Sequence, residues 1–120
     1  MEKDQIIKSI LRLPEIFYTE QNKSIYSLLK KTGYFESFTE VNEKDIFDLL
    51  IQHPEYIKLW LNWSEDKRSS SGWYFKGSED RKYIVGYYPD NGEIKLSEYT
   101  NAAEACSVFI KREIEEIRKI

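Results

Sequence analysis

Glu65 and Asp66, followed directly by Lys67 and Arg68, are the residues of this chain whose types come closest to acid–base chemistry. They sit in "WSEDKRSSSGWYF", Trp63 to Phe75, a polar run held between large aromatics. Acid–base work needs two groups that converge on one reacting atom with pKa values set apart. Neighbouring residues point in different directions, so the pair is a weak catalytic candidate, and no catalytic residue is assigned. Recognition suits the same stretch better. Arg68 and Trp73 belong to the types that dominate energetic hot spots, and loops on rigid scaffolds often carry function.

Other reactive types are scarce. His53 is the single histidine and Cys106 the single cysteine. His53 precedes Pro54, where it serves as a helix flank. Cys106 falls within an apolar helical pattern, unlike an activated thiol, which needs polar and partly exposed surroundings. A zinc site lacks ligands, and the five glycines form no phosphate-cradling loop. The expectation is no metal, no cofactor and no internal disulfide, in a cytoplasmic protein. The opening "MEKDQIIKSILRL" has no continuous apolar run, so neither a signal peptide nor a membrane contact is expected.

Charge is the stronger signal. The net charge is −3, and it is unevenly spread. From Glu36 to Asp66 eight acidic residues face only Lys44 and Lys58, a local charge of −6, while the remainder carries +3. Direct nucleic-acid binding calls for a basic patch and is disfavoured. Glu40, Asp45, Asp48, Glu65 and Asp66 become candidates for meeting a basic partner surface, with Arg68 and Trp73 as anchors.

The elements that must position these residues follow from periodicity. Ile6, Ile7, Ile10 and Leu11 recur at helical spacing, and Pro14 is expected to end that helix. Ile25, Leu28 and Leu29 form a second stripe closed by Gly33. Asn42 and Asp45 make a capping box before Ile46, Leu49 and Leu50. Pro54 opens a further short helix that buries Tyr56, Ile57, Trp60 and Leu61. The period then changes. "GWYFKG", "KYIVGYYP" and "EIKLSEY" are aromatic and β-branched, suiting strands. Trp73 and Phe75 share one face, and Tyr83, Val85 and Tyr87 share another; Ile94 and Leu96 lie on one face of the last strand, with Lys95 and Ser97 on the other. Asn91–Gly92 marks a tight hairpin, and Gly86 a bulge or close approach. Tyr74, Tyr88 and Tyr99 form an exposed aromatic face. Asn101 with Glu104 opens the longest helix, whose stripe is Ala103, Cys106, Ile110, Ile114 and Ile117, with Lys111, Glu115 and Lys119 projecting elsewhere. The 120 residues therefore make one α+β domain, 1–120. It has N-terminal helices, a three-stranded antiparallel β-meander, and a long C-terminal helix packed on the sheet.

With "LNWSEDKRSSSGWYF" and "YIVGYYPDNGEIKLSEYTNAAEACSVFIKREIEEIRK" in an acidic small domain, the chain resembles bacterial immunity proteins of polymorphic or contact-dependent growth-inhibition toxin systems. The resemblance implies a non-enzymatic inhibitor that binds a cognate toxin domain, in many cases a nuclease, and blocks its active site or substrate path. The alternative is a small enzyme or ligand-binding domain using Glu65 and Asp66 in an aromatic-lined pocket.

Overall fold

A computed structural model describes residues 2–20, 23–66, 72–77, 82–88 and 95–120. Six helices come first: α1 (Lys3–Leu11), α2 (Leu13–Thr19), α3 (Ile25–Lys31), α4 (Tyr34–Ser37), α5 (Glu43–Gln52) and α6 (Glu55–Asp66). Strands β1 (Gly72–Gly77), β2 (Tyr83–Tyr88) and β3 (Lys95–Tyr99) come next, and α7 (Ala102–Arg118) closes the chain. The sheet has order β1-β2-β3 with both pairings antiparallel. This is the expected α+β architecture, with α7 packed against the strands.

Local chemistry sets the helix limits. Pro14 does separate the first apolar stripe from the next segment, but by opening a helix: it lies in the first turn of α2, where its missing N–H costs no intrahelical bond. Gly33, with φ 91°, ends α3 in the left-handed region and leads into α4. The capping box of α5 is complete, with Asn42 Oδ1 accepting from the Asp45 N–H at 3.0 Å and Asp45 Oδ2 from the Asn42 N–H at 3.1 Å. At α7 Asn101 accepts from the Glu104 N–H at 3.1 Å. Helix α6 is longer than expected. It continues through Trp63 to Asp66, so Glu65 and Asp66 stand on its last turn rather than on a loop. Trp63 is buried, as is Trp60, whereas Tyr56, Ile57 and Leu61 are only partly so.

The sheet register corrects the expected faces. Trp73 pairs with Tyr87, and Phe75 with Val85, which in turn faces Ser97. The alternation of a pleated strand therefore puts these residues and Tyr83 on one inner face against α7. Tyr99 pairs with Tyr83 and belongs to that inner face, not with Tyr74. Leu96 lies on the outer face opposite Gly86 and is exposed, while Ser97 takes the inward position. The hairpin at Asn91–Gly92, with Ile94, falls outside the described residues. Gly86 is a site of close approach: the Tyr74 ring, its cross-strand partner, lies where a β-carbon on Gly86 would be.

Gly86→Ala is expected to displace the Tyr74 ring and lower stability by ~1 kcal/mol. In a Tyr74→Ala background the same substitution should cost less. Thermal unfolding of the four proteins of this cycle measures the coupling, and additive effects would mean that the ring moves freely.

Candidate functional site

The polar side chains of α7 are organised on the side that meets α3, α4 and α5. Tyr34 is fully buried, and its hydroxyl donates to Glu115 Oε2 at 2.6 Å. Lys111 Nζ donates to that same hydroxyl oxygen at 2.7 Å and to the Phe38 carbonyl at 2.9 Å. Arg118 grips Glu115 with two bonds, Nε to Oε2 at 2.8 Å and Nη2 to Oε1 at 3.1 Å, and its guanidinium lies 3.7 Å from the Phe38 ring centroid. Burial, then the bond to Glu115, pushes the Tyr34 phenol well up. Burial also pushes the Glu115 carboxyl up, but Arg118, Tyr34 and Lys111 outweigh it and hold the group below its ordinary value. Desolvation lowers Lys111, opposed by the fields of Glu115, Glu43 and Asp45.

Next to this network lies a hollow of about 470 Å³ between the end of the sheet and the C-terminal half of α7. Its floor is Trp73 and Tyr87, with ring centroids 4.9 Å apart. The Arg112 guanidinium stands over the Trp73 ring at 4.7 Å from the centroid. Lys111, Glu115, Glu116 and Lys119 complete the walls.

A larger groove of about 620 Å³ runs between α6 and β1. Lys58, Leu61, Asn62 and Glu65, spaced along one face of α6, form one wall, and Tyr74 to Gly77 form the other. Helix and strand are joined where the Phe75 N–H donates to Ser64 Oγ at 2.7 Å.

The expected site residues divide among these places. Trp73 is half-buried at the hollow. Asp45 is committed within the fold, to its capping box and to Lys3 at 2.9 Å. Burial raises the Asp45 carboxyl, but the stronger pull of Lys3 and of the Asn42 N–H leaves it below the usual carboxylate value. Glu40 and Asp48 are exposed, before and on α5. Glu40 is near the side of the fold that Lys111 reaches, since the carbonyl of Phe38, two residues before it, accepts from the Lys111 ammonium. Glu65 and Asp66 are exposed elsewhere and diverge: Glu65 lines the α6–β1 groove, whereas Asp66 accepts from the Tyr18 hydroxyl at 2.9 Å. Asp66 and burial push that phenol up to about 12, burial contributing most. Arg68 lies outside the described residues. Lys111 and Glu115, expected merely to project from the apolar stripe, instead hold α7 to α4 and the residue after it. Their spacing of four, with Arg118 three further, was the available signal; Arg112, Tyr34 and the buried Glu113 carried none, because their partners are distant in sequence.

His53 keeps a local role as the last cap of α5, with Nδ1 3.5 Å from Glu55 Oε1. Cys106 is buried, and burial raises its thiol well above the ordinary value. Among the described residues no cluster of potential metal ligands occurs and no helix is long and apolar enough to cross a membrane. Comparison with known proteins found no matching family model, no matching curated protein and no matching solved structure.

Tyr34→Phe should cost ~1–3 kcal/mol, because it strands Lys111 and Glu115 without a shared hydroxyl. The pH profile supplies the check. The phenol's ordinary pKa is 10.0 and folding raises it, so stability present below pH 10 is lost above it, as the unfolded chain ionises first. Denaturant unfolding should show that alkaline loss weakened in Tyr34→Phe. The Glu115 contribution has the opposite sense, present above its ordinary 4.5 and lost as pH falls through its lower folded value.

Proposed function

We propose that this chain is an immunity-type protein of a bacterial toxin system, binding and neutralising a cognate toxin domain with a nuclease activity by covering its active site or substrate path. It would act in the cytosol of the producing cell, without catalysis, metal or cofactor of its own. One observation carries the reading. Glu43 and Asp45 lie close enough to Lys111 for their fields to act on it, and exposed Glu40 follows two residues after the Phe38 carbonyl that Lys111 bonds. Lys111 also lines the hollow with Trp73 of β1 and Arg112 of α7, while Asp48 is exposed further along α5. A face of this kind pairs fixed negative charge with aromatic and arginine anchors on regular elements. Complementary charge speeds encounter with a basic nuclease surface and rejects wrong partners, while the anchors slow dissociation. Glu65 and Asp66 stand apart from this face, which leaves them a secondary part in long-range steering.

The alternative, a ligand-binding domain or small enzyme at Glu65 and Asp66, retains Glu65 alone, since Asp66 is turned to Tyr18. What favours it is the aromatic wall that Tyr74 and Phe75 give the α6–β1 groove.

The test begins with a toxin-like domain recovered by affinity capture from the native bacterium, followed by growth rescue on co-expression. Rescue is expected; a captured toxin domain that still kills would end the immunity reading. For the contact face, Glu40→Gln with Asp48→Asn should lower the association rate several-fold and flatten its dependence on salt, with little change in dissociation. Stopped-flow association at two ionic strengths measures this, and an unchanged rate and salt slope would place the contact elsewhere. If Glu65→Gln leaves toxin binding intact yet removes a small-molecule interaction, the groove reading gains.

A further inference from the structure

We propose that the hollow beside Trp73 is a binding site for an aromatic carboxylate, a planar ring bearing one carboxylate group. The ring would lie on Trp73 and Tyr87, and the carboxylate against Arg112 and Lys119. Of the three tryptophans, Trp60 and Trp63 are 1% and 8% exposed and belong to the core. Trp73 is only half-buried: packed on the core, with Arg112 over its ring and Tyr87 beside it, it lines the cavity together with Tyr87. At about 470 Å³ the cavity falls within the ordinary size of small-ligand sites.

Its charge is opposite to that of the chain. The protein carries −3, yet three cations, Lys111, Arg112 and Lys119, line the hollow against Glu115 and Glu116. Glu115 is already balanced by the two-bond grip of Arg118. Lys111 donates to a hydroxyl and a carbonyl, neither of which carries charge. Among the described residues neither Arg112 nor Lys119 has a carboxylate within ion-pair distance. Arg112 is also held over an aromatic ring, so its planar fork is ordered before a ligand arrives, which suits two-bond recognition of a carboxylate. An aromatic floor selects a ring, and the excess positive charge selects an anion.

Two sources supply this chemistry: a free aromatic acid, and the C-terminal aromatic residue of a polypeptide. The inference does not depend on the immunity reading, and the test uses no toxin. The full chain is labelled with ¹⁵N and its three indole N–H signals are followed, the Trp73 signal being assigned with Trp73→Phe. The probes are 4-hydroxyphenylacetate, its neutral amide, and the peptide Gly-Gly-Tyr with a free C-terminus. The acid should shift the Trp73 signal saturably. The amide should bind about tenfold more weakly, and Arg112→Gln should weaken the acid by a similar factor, as expected for loss of one charge-assisted contact. Unmoved Trp60 and Trp63 signals certify that the variant is folded, and Lys119→Gln, a surface change, serves as the second variant. Tighter binding of the peptide than of the acid identifies a polypeptide terminus as the source, and the reverse order a free acid. Absence of a saturable shift with acid and peptide alike overturns the proposal. So does equal affinity for acid and amide, or a response unchanged in both variants.

Discussion

The ring of Phe109 is the point on which the two halves of the fold meet. It is fully buried, with the Trp60 ring of α6 edge-on at 6.2 Å and the Phe75 ring of β1 stacked at 5.8 Å. An ordinary surface helix covers its core with a single stripe. Helix α7 instead buries Ala103, Ala105, Cys106, Ser107, Val108, Phe109, Ile110, Glu113, Ile114 and Ile117, a width that only contact on several sides explains. It touches α3 and α5 on one side, and α6 and the sheet on others. A three-stranded sheet and a set of short helices each lack the area to stand alone. Sharing one helix gives both a common core.

That breadth forces polar atoms inside, where each must find a partner. Glu113 is 4% exposed and accepts from Trp63 Nε1 at 3.0 Å, tying α7 to α6. Trp60 Nε1 donates to the Leu11 carbonyl at 3.1 Å, tying α6 back to α1. Tyr34, Lys111, Glu115 and Arg118 do the same between α7 and α4. Among the described residues no buried side-chain nitrogen or oxygen lacks a hydrogen bond. The hollow beside Trp73 opens where this packing stops, between the last turns of α7 and the ends of β1 and β2. Two of its cations, Lys111 and Arg112, are held by neighbours already fixed for reasons of stability.

Local signals in the sequence were accurate about local facts. Asn42 with Asp45 is a complete capping box, Gly33 does terminate α3, and the stripe Ala103, Cys106, Ile110, Ile114 and Ile117 is buried throughout. What periodicity missed was set by tertiary partners. Helix α6 runs on to Asp66 because Trp63 finds Glu113, fifty residues away, and Ser64 finds Phe75. The polar letters S, E and D read as the start of a loop only when those partners are unseen. Leu96 is exposed while Ser97 faces inward because register, fixed by β2, overrides hydropathy in a five-residue strand. The candidate acids were legible as a cluster of charge. Their division between α5 and the end of α6, and the company Trp73 keeps with Arg112, came from pairings across the fold.

The bond from the Phe75 N–H to Ser64 Oγ has a consequence for how this protein avoids its own copies. A sheet of three strands ends in two rows of unpaired amides and carbonyls, each a template for a foreign strand. Along β1 a serine hydroxyl from α6 occupies one of those donors. At β3 the strand is short, and it carries Glu98, whose carboxylate is 3.9 Å from the Lys82 ammonium. A stacked copy would have to desolvate that pair. One margin is tied to a helix and the other carries charge, two features that oppose edge-to-edge pairing of a small sheet rich in tyrosine and tryptophan.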